Sequence, residues 1–402
     1  VCRKIILFIL GWVLVLSNPD AGHGESIFSS LGLGEGMLPA TGRGLAMGGT
    51  GIALVDTTSS SLLNPASGSL LNRVTLSVVY SPEVRLPKGP PDVSRNWDSR
   101  LSSVKFVFPL PRRIAVSLGL LLWGDMNAQA QWTGENSSSE YAGSYEREGG
   151  IFSLPFHVSA GLTEHIILAG GFDLVQISSR ETWIKDFPSG EYQDSEDDLE
   201  GKFSGARPSG GILLLWPGRA SFGFVFNGPR DLDGTLVTRP VFETEYERKT
   251  TLHLPASYGA GLSLTPTPAI TLVVEGQHTQ WRDFRLAGES VLPSRTSNRI
   301  SVGFEWASTR RTGSWFSRLP LRVGYWREPE AFDWPAGERV VSQMLTLGTG
   351  FPMSGNSAHL DLALEVGRIG NESDNGVAEQ IIRLSVGFTA SERWQRKRQT
   401  RY

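Results

Sequence analysis

Apolar and polar residues alternate with a period of two through segment after segment of this chain. No other feature constrains the fold as much. Ile114, Val116, Leu118, Leu120 and Leu122 share one face of an extended segment, and Ala115, Ser117 and Gly119 share the other. The same alternation runs through 220–227, 270–275, 300–306, 359–366 and 382–388. Successive side chains of a strand point to opposite faces, so this period predicts strands with one apolar face. Fourteen such segments follow one another, with centres running from Leu76 to Leu384. Their connections alternate in length. They are long at 85–100, 123–150, 178–205, 228–248, 281–297, 328–339 and 368–379. They are short at 109–112, 162–164, 217–218, 265–268 and 352–357, and intermediate at 308–318. A soluble sandwich has no reason to alternate in this way. An up-and-down barrel across a membrane does, because only one rim faces the outside. The expected fold is all-β: a membrane-spanning antiparallel up-and-down β-barrel of 14 strands, with an N-terminal hatch, or plug, in its lumen.

In hydrocarbon every backbone polar group must find a partner inside the protein, so the sheet must close on itself. A charge on the lipid face would cost about 2–4 kcal/mol at the bilayer midplane. Asp173, Glu275, Glu305, Arg322, Asp361, Glu365 and Arg383 fall on the opposite phase and are assigned to the lumen, where ion pairs would fill the barrel. Tyr80, Trp123, Trp216, Trp281, Trp306 and Trp326 lie near strand ends, where interfacial aromatic girdles are expected.

Composition closes off other classes. The longest apolar run, 5–16, is too short for a membrane-crossing helix. A net charge of −3 gives no basic face for nucleic acid. A single cysteine, Cys2, rules out a disulfide framework and a cysteine metal site. The six histidines are scattered, with His157 and His253 read onto the lumen face, and neither His-Glu-x-x-His nor Gly-x-Ser-x-Gly occurs. No enzyme activity, catalytic residue, metal site or cofactor is expected. The eight acidic residues between Glu181 and Glu200 lack EF-hand spacing and read as a solvated outside loop.

The domain plan starts at the N-terminus. Arg3 and Lys4, the apolar run and Ala21-Gly22-His23-Gly24 form a signal-peptide pattern over 1–24. Residues 25–73 are rich in small residues and read as the hatch, and 74–389 as the barrel. Residues 390–402, with Arg396, Lys397, Arg398 and Arg401, read as a basic periplasmic tail. Gly48, Gly49 and Gly51 invite a phosphate-loop reading, but no strand precedes them and no Lys-Ser/Thr follows. Pro155 lies in the middle of a strand next to the strand that holds Gly119, and Pro255 is similarly placed. A proline removes one ladder hydrogen bond, so the wall beside Pro155 and Gly119 is a candidate lateral opening.

The segment from Gly42 to Gly51, followed by Asp56, a Ser/Thr run and Leu63-Asn64-Pro65-Ala66, resembles the N-terminal hatch of the FadL/OmpP1/TodX outer-membrane transporters. Leu254-Pro255-Ala256-Ser257-Tyr258-Gly259 and Leu321-Arg322-Val323-Gly324-Tyr325-Trp326 also resemble that family. The resemblance implies a hatch that includes Asn64, Pro65 and Ala66. It implies passive uptake of a hydrophobic small-molecule substrate, such as a long-chain fatty acid or hydrocarbon, across the outer membrane of a Gram-negative bacterium. Expected partners are outer-membrane lipid, lipopolysaccharide and the barrel assembly machinery, with no nucleic acid. PorV-like barrels share the hatch motif, and the alternative they imply is a scaffold for protein secretion or envelope assembly with a secretion or periplasmic partner.

Overall fold

The computed structural model describes residues 26–89, 96–136, 139–188, 192–289, 294–307, 319–334, 338–353 and 357–393. The expected signal segment and the tail beyond Arg393 lie outside these residues. Fourteen antiparallel strands close into one barrel. They are β1 (Val74–Lys88), β2 (Asn96–Leu110), β3 (Ile114–Asp125, resumed at Ala128–Asn136), β4 (Ser139–Gly161), β5 (Ile166–Asp186), β6 (Ser195–Trp216) and β7 (Ala220–Asn227, resumed at Arg230–Arg239). The second half contains β8 (Tyr246–Leu254, resumed at Ser257–Thr267), β9 (Ile270–Thr279), β10 (Ser297–Trp306), β11 (Leu321–Asp333), β12 (Arg339–Met353), β13 (Ala358–Gly370) and β14 (Ala378–Glu392). β14 pairs with β1 from Ala378↔Lys88 to Glu392↔Val74, which leaves the barrel no free edge.

The polarity of the wall is inverted. Leu345 and Ile300 are 61% and 59% exposed on the outer surface, while Glu275 and Glu365 are 2% and 1% exposed inside. Water would not tolerate that outer belt, whereas hydrocarbon requires it. Trp216 and Trp306 lie outward at the short-turn rim, as the girdle reading expects. Trp123, Trp281 and Trp326 do not. Trp326 is buried among inward-facing residues, and Trp123 and Trp281 pack against the interior cluster around Phe284 and Phe332. The correction lies in the strand phase: Trp123 shares the phase of Ser117, and Trp326 that of Arg322, both of them inward.

The connections at the other rim are largely hairpins rather than loops. The second half of β3 pairs with the start of β4 from Ala128↔Arg147 to Asn136↔Ser139. The acidic stretch 181–200 is mostly ladder, with Glu181↔Leu199 and Thr182↔Asp198 in register. Arg230–Arg239 of β7 pairs with Tyr246–Leu254 of β8. Beyond the belt the ordinary polarity returns: Leu252 and Leu254 are buried inward, and His253 turns outward to Asp231 Oδ1 at 2.5 Å. His253 is therefore not a lumen residue. There the outer face meets water and the inner face meets packed side chains.

Residues 26–73 contact inward-facing side chains of the wall between the hairpin rim and the start of β1. Ser26 Oγ and the Ile27 amide donate to Glu379 Oε2 and Oε1 at 2.8 and 2.9 Å, near the start of β14. Glu35–Gly36 pairs with Asp125 and Gly124 at the bulged end of the first part of β3. The chain then turns through the short helix α1 (Gly42–Ala46), capped by Thr41, and a 3-10 turn at Pro65–Leu70.

Candidate ligand cavity and the segment that shapes it

Asn64 shows why an Asn-Pro-Ala run suits this place. Its Oδ1 accepts from the Ala66 amide at 3.0 Å and so caps the 3-10 turn, and Pro65 occupies the first turn position, where no amide hydrogen is needed. Its Nδ2 donates to Ile52 O at 2.7 Å and Ile212 O at 3.1 Å. One fully buried side chain thus ties two parts of the plug segment to each other and to β6. A Cβ at Gly211 would overlap Asn64 Oδ1, so glycine on the wall makes the room. Ala66 is buried beside Ile167 and Leu213.

The glycines work as an interlock. Gly48 and Gly49 have φ of +75° and +72°, a region that L side chains rarely adopt. The Gly48 amide donates to Thr346 Oγ1 at 2.9 Å. A Cβ at Gly324 on β11 would collide with the Gly48 nitrogen, so backbone meets backbone there. The Gly51 and Ala53 amides donate to the two oxygens of Glu275 at 2.8 and 2.9 Å. A buried carboxylate is thereby satisfied by plug backbone rather than by a cation.

Ion pairs hold the remaining inward charges. Arg43 Nη2 and Nε meet Glu305 Oε1 and Oε2 at 2.6 and 2.9 Å. Arg322 joins Glu305 to Asp361 at 2.7 and 2.6 Å. Arg43 also lies 3.5 Å from Asp56. Asp56 is held below the usual carboxylate range: burial alone would raise it, but the Arg43 charge and hydrogen bonds from Thr58 and Ser59 outweigh that effect. Nearer the hairpin rim, Arg85 binds Glu35, Glu83 and Glu379 at 2.6, 2.6 and 3.0 Å. Arg383 bridges Glu83 and Glu365 at 2.7 and 3.3 Å across the closing seam.

Between the plug segment and one side of the wall lies a cavity of about 180 Å³. Met37, Leu38, Leu62 and Leu63 of the plug segment face Leu121, Trp123, Ile151, Trp281 and Phe332 across it. Pro155 borders the same space. There the β3–β4 ladder is interrupted: Leu118↔Phe156 and Leu121↔Ser153 pair, and the positions between them, Gly119-Leu120 and Leu154-Pro155, do not. A Cβ at Gly119 would lie 3.1 Å from Pro155 Cγ, so this glycine leaves the proline ring its room.

One end of the cavity is polar. His157 Nε2 lies 2.7 Å from Ser209 Oγ, and Ser209 Oγ donates to Asp173 Oδ1 at 3.0 Å. The three residues match a hydrolase set in composition only. Asp173 approaches the same Nε2, at 3.4 Å, whereas an orienting carboxylate must hold the other ring nitrogen. Lys105 is buried close by, with its Nζ on Ser61 O. Arg207 completes this end.

A family model described as BamG matches residues 232–401. No curated protein matches the chain. Among solved structures, the CymD monoaromatic hydrocarbon channel aligns with a TM-score of 0.59 at 15% identity, over 88% of this chain and 97% of that one. The Ralstonia pickettii toluene transporter TbuX gives 0.59 at 15% identity, over 89% and 98%. A Pseudomonas aeruginosa FadL homologue gives 0.60 at 14% identity, over 90% and 100%. The chain has the FadL-type fold.

Within the FadL-type barrel, Asn64, Pro65, Ala66, Gly48, Gly49 and Gly51 lie together on the plug segment. Glu275, Glu305, Arg322, Asp361, Glu365 and Arg383 meet it or one another, and Asp173 stands apart at the cavity. Sequence reasoning missed Arg207, Lys105 and the aromatic side of the cavity. For Arg207 and Lys105 the signal was present: both share the inward phase of neighbouring small or polar residues, Ser209 and Ser103. Trp281 sits in a 3-10 turn, where no strand phase applies.

Proposed function

We propose that this barrel is an outer-membrane channel for passive uptake of hydrophobic small molecules, monoaromatic hydrocarbons or long-chain fatty acids among them. The observation that supports the reading is that Pro155, at the interruption of the β3–β4 ladder, also borders the cavity. The long-hairpin rim faces outside and the short turns face the periplasm. A ligand enters from the hairpin rim, rests against the plug segment and leaves sideways past Pro155 into the bilayer. The plug segment blocks a straight aqueous path, so the route favours apolar molecules. The named channels with this fold support the reading.

The test is uptake of radiolabelled toluene and oleate by cells that carry the intact barrel, a deletion, or Pro155→Val. The valine restores an amide donor to the ladder. The deletion should slow uptake, and Pro155→Val should lower it at unchanged barrel abundance. Equal uptake with and without the barrel would sink the reading, and equal uptake by Pro155→Val would remove only the lateral route.

The BamG match favours a second reading, a barrel that serves in envelope assembly. It predicts a protein partner that co-purifies in stoichiometric amount and no uptake phenotype on deletion.

A further inference from the structure

Arg207 is 3% exposed and borders the cavity. Its Nε has no hydrogen-bond partner, and its Nη2 reaches Ser257 Oγ at 3.4 Å. Among the described residues no carboxylate lies within ion-pair distance of it, whereas Arg43, Arg85, Arg100, Arg322 and Arg383 are all paired inside the same barrel. Asp173 lies opposite Arg207 in the β5–β6 ladder but beyond ion-pair distance, so the guanidinium keeps a donor, Nε, for an anion in the cavity. The guanidinium lies 5.1 Å from the Trp123 ring centroid. Trp123 in turn faces Trp281 at 6.4 Å, and Trp281 faces Phe332 at 6.0 Å. The cavity therefore presents a cation at one end of a row of aromatic rings.

Size decides what fits. A dry cavity of roughly 150 Å³ accepts a benzene ring. About 180 Å³ takes one ring with a small substituent. We infer that the resident ligand is a single-ring aromatic carboxylate, with its ring against Trp123, Trp281 and Phe332 and its carboxylate on Arg207. Planar bidentate pairing to a carboxylate is what a guanidinium does best. The inference rests on the uptake reading and narrows its substrate.

The experiment uses the full barrel purified in detergent, with benzoate, toluene and palmitate as probes and quenching of tryptophan fluorescence as readout. Arg207→Gln keeps the volume, Arg207→Lys keeps the charge, and retention of the folded, heat-modifiable form on gels controls for assembly. Benzoate should bind the unaltered barrel. Arg207→Gln should weaken benzoate by about tenfold or more while changing toluene less than about twofold, and Arg207→Lys should recover part of the loss. Benzoate affinity unchanged in Arg207→Gln overturns the inference. Binding of toluene or palmitate without benzoate overturns it and leaves hydrophobic uptake standing. Binding of none of the three overturns both.

Discussion

Arg43 of the plug segment and Glu305 of β10 meet as a two-bonded fork, with Nη2–Oε1 at 2.6 Å and Nε–Oε2 at 2.9 Å. This contact joins a segment that crosses no membrane to a strand that does. Arg43→Met should destabilise the plug by about 1–3 kcal/mol. That is less than the roughly 3–5 kcal/mol of a fully orphaned buried charge, because Arg322 still pairs with Glu305 and Asp56 keeps its bonds from Thr58 and Ser59. Protease accessibility of the plug should rise while the barrel stays folded. A double-mutant cycle with Glu305→Gln should show coupling well above the scatter of additive pairs.

Asn64 makes opposite demands of its two side-chain atoms. Asn64→Ala should cost about 1–3 kcal/mol through the lost cap and two buried bonds. Asn64→Asp keeps the cap but sets a carboxylate against the Ile52 and Ile212 carbonyls, so it should be the worse of the two. Thermal unfolding of both variants ranks them, and the reverse order would refute this account of Asn64.

Gly324→Ala adds a methyl group where the Gly48 backbone lies against the wall. Neither side of that contact has a flexible side chain that can yield. The plug should shift, and liposomes that contain the variant should swell in a small polar sugar to which the unaltered barrel is closed. Gly170→Ala is the control: a Cβ there meets nothing within 4 Å.

The acid response follows from Asp56. Its carboxyl is held below its ordinary value, so it contributes stability above the unfolded pKa and loses that contribution as pH falls through the folded one. The share of plug retention that Asp56 supplies should therefore hold from neutral pH down to about pH 4, and fall below it. Asp56→Asn should be weaker at neutral pH and show a smaller fall with acid, as measured by proteolysis of the plug across the pH range.

The strand phases were legible because lipid imposes one rule on every strand: apolar outward, everything else inward. That rule places Glu275, Glu365 and Arg383 inside. It holds only as far as the bilayer extends. Above it, at Leu252 and Leu254, the apolar face turns inward, and a reading that carried the membrane rule further put His253 on the wrong side. Trp123 and Trp326 were misread for a different reason. Their nearness to strand ends was weighed above their phase, and phase decides. The cavity itself was not legible, because Trp281 and Phe332 reach it through strand ends and a turn whose register depends on packing rather than period.

The fit of the plug segment against the wall has a bearing on how the protein is made. Glu35, Arg43 and the Gly51 and Ala53 amides each complete a group on a different strand. The seam between β1 and β14 joins the two ends of the wall. An empty cylinder would have to close over an unpaired Glu275 and then admit a chain past contacts that have no slack at Gly324. The N-terminal segment is better viewed as a mandrel, a core against which the strands are fitted rather than a stopper added to a finished tube.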